Sequence, residues 1–148
     1  MINWQNTNPN SPKKGPDMKS SFACPHCKSV LNPSIKILLA VKYKSKRGMI
    51  LLSPQPGNYK FICDSSVASV LKPGASLNFF CPVCSENLTS PANKKFVELA
   101  LVDPGKQERK VEFSKIFGTH ATFIIDGDNV TPYGDDVEET GSTNFFGS

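Results

Sequence analysis

No hydrophobic run in this sequence approaches the roughly 18 to 20 residues that cross a bilayer, so no membrane-spanning helix is expected. The start, Met1-Ile2-Asn3-Trp4-Gln5, has no basic region followed by an apolar stretch, and no secretory leader is expected either. Gly-rich phosphate loops of the two common types are absent. Histidine is scarce: there are two, His26 and His120. Neither stands beside a placed nucleophile or a second base, which leaves no catalytic constellation to argue from. Cysteine is also sparse, and its count of five is odd, which speaks against a disulfide framework. These features together point to a reducing, cytoplasmic setting and to binding rather than catalysis.

Four of the five cysteines fall in a pattern that occurs twice. Phe22-Ala23-Cys24-Pro25-His26-Cys27-Lys28-Ser29-Val30-Leu31 and Phe79-Phe80-Cys81-Pro82-Val83-Cys84-Ser85-Glu86-Asn87-Leu88 both read F-x-C-P-x-C-x-x-x-L. Two thiols separated by two residues can turn inward around one ion. Two such pairs supply the four soft ligands of a closed tetrahedral site. The proline suits a tight turn because its ring fixes φ in advance. The expected ligands are therefore Cys24, Cys27, Cys81 and Cys84, the expected cofactor is one Zn²⁺ per chain, and the alternative ion is iron.

At these residues the chain resembles the zinc-ribbon and rubredoxin-like class, whose zinc knuckles are built from C-P-x-C turns. The resemblance covers the two knuckles. Such knuckles often carry Gly directly after the second Cys, whereas Lys28 and Ser85 stand there in this chain. The spacing is also long: residues 28 to 80 separate Cys27 from Cys81, against about 15 to 20 in a compact finger. A long β insertion is expected to fill that interval. The resemblance implies a zinc-ribbon-like fold, and its rubredoxin side implies a one-electron iron carrier as the second functional reading.

With 148 residues the chain has the size of one ordinary domain with a substantial core. Its net charge of +4 hides an asymmetry. Residues 1 to 75 hold eleven basic and two acidic side chains, whereas 76 to 148 hold six basic and eleven acidic ones. Such an imbalance fits a basic face for an acidic partner, or two halves that attract each other. Residues 1–21 are polar and aperiodic and read as a basic tail. Residues 135–148 read as an acidic one, with Trp4 and Phe145-Phe146 as aromatic exceptions. A single zinc-stapled β domain is expected over 22–134.

Within that span the apolar runs predict antiparallel hairpins, and the fold class is mainly β. A strand is expected over Ile35–Lys44, a turn at Ser45-Lys46-Arg47-Gly48, and a return strand over Met49–Leu52. Extended structure should resume over Asn58–Asp64, with a helical turn or loop at Ser65–Leu71. Strands are expected at Phe96–Val102 and around Val111–Phe113, with Ser114 capping a short helical turn through Phe117. The Asp126-Gly127-Asp128-Asn129 segment predicts a hairpin between Ala121–Ile125 and Val130–Tyr133. Asp126 and Asp128 lack the remaining ligands of a calcium loop and read as turn residues.

The first hairpin carries the candidate partner surface. On a continuous strand Lys42, Lys44 and Lys46 point to one side, with Arg47 at the tip and Tyr43 among them. Lysines with an aromatic can hold a nucleic-acid backbone and a base, while the alternative reading is charge that keeps a projecting strand soluble. The partner is expected to be a protein or a nucleic acid. His26 should point away from the metal, His120 reads as structural, and Cys63 as a small buried hydrophobe.

Overall fold

The computed structural model describes residues 20–33, 35–104 and 108–137, and the fold is mainly β, in two antiparallel sheets. The expected terminal tails fall largely outside the described residues, as do Trp4 and Phe145-Phe146. Among the described residues no helix is long and apolar enough to cross a membrane.

Each sheet is built around one seven-residue hairpin. β2 (Ile37–Tyr43) and β3 (Lys46–Leu52) form the first, and β6 (Phe96–Val102) and β7 (Glu108–Ser114) the second. Short strands complete them: β1 (Ser21–Ala23), β4 (Phe61–Cys63), β5 (Asn78–Phe80), β8 (Thr122–Asp126) and β9 (Asn129–Tyr133). Sheet one runs β1-β6-β7-β8-β9 and sheet two runs β4-β3-β2-β5. β2 alternates buried and half-buried residues because one of its faces meets the core. β6 is buried almost throughout, the signature of a strand covered on both faces.

The expected β insertion between the knuckles supplies the long hairpin and the further strand of the first of two equivalent units. In each unit a three-residue strand leads into a knuckle, and the knuckle leads into a long hairpin followed by a further strand. The leading strands are exchanged. β1 pairs with β6 of the second unit, Phe22 opposite Leu101 and Ala23 opposite Ala100. β5 pairs with β2 of the first, Phe79 opposite Val41 and Phe80 opposite Ala40. The hairpins match in register too: Leu39 faces Ile50 and Leu99 faces Val111, while Ile50 faces Cys63 and Val111 faces Ile124.

The inner faces of the two sheets pack together. Ile37, Leu39, Val41 and Ile50 from sheet two meet Val97, Leu99, Leu101 and Val111 from sheet one in a single cluster that also holds Cys24 and Cys81. Phe79 and Phe113 meet edge to face across the layers, ring centroids 5.5 Å apart. A second, smaller cluster of Phe96, Ala121, Phe123 and Ile125 lies on the outer face of sheet one, with Val130 and Val137 packed on it.

Two local expectations are corrected. The first hairpin turns at Lys44-Ser45, since Tyr43 pairs with Lys46 and Lys42 with Arg47. Gly48 lies within β3, where a Cβ would meet the Asp64 side chain at 2.8 Å. Close approach, and not a turn, therefore explains that glycine. Ser114 does cap locally, accepting the Ile116 N–H at 3.1 Å, but Ile116 bridges to Ser76 and the chain turns only at Phe117-Gly118. Leu77 donates to the Lys115 carbonyl at 2.9 Å and Phe117 to that of Ala75 at 2.7 Å, so pairing with the approach to β5 displaces the expected helical turn. The Ser65–Leu71 segment contains one short helix, α1 (Ser65–Ala68).

Candidate metal centre and basic hairpin

The two knuckles are the same structure built twice. Lys28 donates to the Cys24 carbonyl and Ser85 to that of Cys81, both at 2.9 Å. Cys24 donates to the Ser29 carbonyl and Cys81 to that of Glu86, both at 3.0 Å. Inside each turn two backbone amides aim at the first sulfur: His26 and Cys27 at Cys24 Sγ (3.3 and 3.4 Å), Val83 and Cys84 at Cys81 Sγ (3.3 and 3.4 Å). Such donors stabilise a thiolate. Lys28 and Ser85 both take φ of +66°. They adopt the left-handed conformation that glycine would supply without strain, and the turn closes despite the side chains.

The sulfurs of Cys24, Cys27, Cys81 and Cys84 all lie within 4.8 Å of one another. Cys24 Sγ is 3.7 Å from Cys84 Sγ, and Cys27 Sγ is 3.7 Å from Cys81 Sγ. A tetrahedron with metal–sulfur bonds of about 2.3 Å has edges of about 3.8 Å. A disulfide would bring the sulfurs to about 2.05 Å. The four cysteines thus fit one thiolate-bound metal ion, and not two disulfides. Cys24 and Cys81 are buried, while Cys27 and Cys84 sit nearer the surface.

Protonation of the four sulfurs is mutually dependent. Burial pushes the Cys24 thiol up. Hydrogen bonding from Ser29, side chain and then backbone, draws Cys27 down to about 6. At Cys84 the Glu86 backbone favours the thiolate, yet burial and the three neighbouring sulfurs outweigh it and push the thiol up to about 12. Four thiolates at this separation repel one another. A bound dication removes that penalty.

The other sequence candidates separate from this cluster. His26 is exposed and outside the sulfur group. His120 stacks flat on Tyr59, centroids 4.4 Å apart and planes 2° from parallel, and its backbone N–H is held by Asp136 Oδ2 at 2.7 Å. Cys63 is half-buried against the main core, and burial raises its thiol. Asp126 and Asp128 flank Gly127 in the β8–β9 turn.

The basic hairpin does not carry one row of cations. With the turn at Lys44-Ser45, Lys42 and Arg47 are cross-strand partners on the outer face of sheet two, whereas Tyr43 and Lys46 share the opposite face. Tyr43 packs against the main core, and Lys44 Nζ lies 5.4 Å from its ring centroid. The chain reverses two residues earlier than expected, which puts Lys46 on the return strand opposite Tyr43, splits the expected set of Lys42, Lys44 and Lys46, and leaves Tyr43 on the inner face. The feature that sequence reasoning missed is the apolar ground on which Lys42 and Arg47 stand, uncovered among the described residues.

Comparison of the chain with protein-family models, with curated proteins and with solved structures found no match to any of them.

Proposed function

We propose that Cys24, Cys27, Cys81 and Cys84 hold one Zn²⁺ as a structural clasp between the two repeated units, and that the protein is a binding module rather than an enzyme. The observation that carries this reading is the matched pair of cross-knuckle sulfur contacts at 3.7 Å, each first sulfur backed by two amides. Four thiols fill a tetrahedral shell and leave no position for a substrate, which is the pattern of a structural and not a catalytic zinc. His120 and Cys63, which lie outside the cluster, are engaged in packing. Lys42, Tyr43, Lys44, Lys46 and Arg47 remain the proposed neighbourhood of the partner site. The inward turn of Tyr43 favours a protein over a stacked nucleic-acid base.

One observation favours a second reading. Cys27 and Cys84 lie near the surface, as the ligands of an electron carrier must, and four thiolates also suit iron in a rubredoxin-like site. Metal analysis of protein expressed with zinc and iron both supplied, together with a visible spectrum, decides between them. One colourless zinc per chain is the expected result. Stoichiometric iron with intense ferric-thiolate absorption would establish the second reading, and a metal-free folded protein would end both.

A further inference from the structure

The two repeated units differ on their outer faces in the reverse of the expected sense. On sheet one the outer face carries Glu98, Lys110 and Glu112, and it is covered. Ser90, in the connector from the second knuckle, donates to Glu112 Oε2 at 2.9 Å, and Val130 and Val137 pack beside it. On sheet two the register places Leu38, Met49 and Leu51 at the positions equivalent to those three, and Ile62 at that of Phe123. Ala40 and Phe80 complete the patch. This apolar face is open among the described residues: Ile62 is 60 % and Met49 36 % exposed, and Leu38, Leu51 and Phe80 are half-buried.

The chain's own covering device is shortened in the first unit. Leu38 donates to the Leu31 carbonyl where Glu98 donates to that of Leu88, so the first connector is three residues shorter than the one that folds over sheet one. β4 also has no described neighbour beyond it, whereas its equivalent, β8, is followed by β9. The face continues at the hairpin end into Lys42 and Arg47, with exposed Lys44 in the turn next to them. The Asp64 carboxylate at that end is occupied by the Met49 N–H at 2.8 Å. Apolar ground with a basic margin calls for a partner that is apolar and acidic.

We propose that the outer face of sheet two, centred on Met49, Leu51 and Ile62, is the docking surface for an acidic amphipathic segment of a partner protein. The apolar side of that segment covers these three side chains, and its carboxylates face Lys42 and Arg47. This rests on the binding-module reading and names the partner chemistry of that site.

Three fluorescent peptides of equal length test it against the full, zinc-loaded chain by anisotropy at low salt: alternating Leu and Glu, alternating Leu and Lys, and alternating Ser and Glu. The Leu/Glu peptide should bind at least tenfold more tightly than either of the others, and the affinity should fall as salt rises. Met49→Glu with Ile62→Glu should weaken it at least tenfold with zinc content and melting unchanged. If that pair perturbs folding, Ile62→Ser alone should still weaken binding. Equal binding of all three peptides, or no effect of either variant, overturns the proposal. So does competition by a single-stranded oligonucleotide that matches or exceeds the peptide. Sedimentation showing a dimer abolished by Met49→Glu would give the face to a second copy, and tighter peptide binding after removal of residues 138–148 would give it to the chain's own end. Zinc stoichiometry is read separately, so a chain without zinc that binds the peptide contradicts the clasp alone, and a zinc-loaded chain that ignores the peptide contradicts this surface alone.

Discussion

Cys24 and Cys84 stand sixty residues apart in the chain and 3.7 Å apart at sulfur, and Cys27 and Cys81 repeat that contact in the opposite sense. Each knuckle therefore reaches its nearest sulfur in the other knuckle. Loss of one ligand disturbs both turns, together with the exchanged strands that lead into them.

Cys81→Ser should accordingly reduce bound zinc well below one per chain and cost about 3 kcal/mol or more, roughly 6 to 12 °C in Tm. Cys63→Ser, at a half-buried site outside the cluster, should leave zinc content intact and move Tm by only a few degrees. Metal analysis and a thermal melt check both. Zinc loss from the Cys63 variant would mean that the ligand set is different.

The knuckle turns predict an unusual ranking at position 85. Ser85 holds φ of +66°, a conformation that costs an L-residue roughly 1 to 2 kcal/mol and glycine almost nothing. Ser85→Gly should be neutral or stabilising by up to about 1 kcal/mol despite its entropic cost, whereas the β-branched Ser85→Val should destabilise by about 1 to 2 kcal/mol. Chemical denaturation of the zinc-loaded proteins gives the order Gly, Ser, Val from most to least stable. Any order with Val above Ser contradicts the turn geometry.

Glu112 is fully buried and opposite Glu98 on β6, with Lys110 Nζ 3.8 Å from Glu98 Oε1. Burial is the main cause that pushes the Glu112 carboxyl up to about 8, against a Ser90 hydrogen bond that pulls the other way. The folded chain then keeps a proton that the unfolded chain releases near pH 4.5. Stability should fall as pH rises from about 4.5 to 8, by up to about 1.4 kcal/mol per pH unit from this group, and level off above. Glu112→Gln should remove that component of the slope and gain on the natural protein at pH 8. Denaturant midpoints across the range measure it; identical slopes in the two proteins would place the proton elsewhere.

Gly134 predicts a sharp intolerance near His120. Its φ is +107°, and an added Cβ would collide with the His120 carbonyl oxygen and with Tyr59 Oη. Tyr59 is fixed there by its bonds to Thr122 Oγ1 (2.9 Å) and to the Tyr133 carbonyl (3.1 Å), so it has little room to yield. Gly134→Ala should cost about 2 kcal/mol or more and shift the His120 ring resonances as the stack opens. A change below about 0.5 kcal/mol would show that the 134 region relaxes freely.

The four-cysteine cluster was legible because its pattern is local. Two thiols, a proline and a bracketing Phe and Leu define each knuckle without reference to anything distant. The exchange of β1 and β5 was not legible, since a three-residue strand carries no mark of which hairpin it will join. The repeat itself left a trace, but a shifting one: the cysteines recur at 57 positions, 24 to 81, and the hairpins at 60, Leu39 to Leu99, because the second connector is longer. The turn at Lys44-Ser45 was hidden by Gly48, whose glycine answers to the Asp64 side chain across the sheet edge. A reversal two residues early was enough to put Lys46 on the return strand opposite Tyr43 and to divide the expected row of lysines between two faces.

The exchanged strands also set the order in which the chain can become a protein. β1 meets only Val30 and Leu31 of its own knuckle until residues 100 to 102 follow it, and β2 lacks its β5 neighbour until residue 80. The first pair of sulfurs likewise waits for Cys84. Each unit alone lacks the strand that the other supplies, and these pairings close much longer loops than either hairpin does. A chain severed between β4 and β5 would leave two fragments that are each other's template, able to recover the fold only by meeting again.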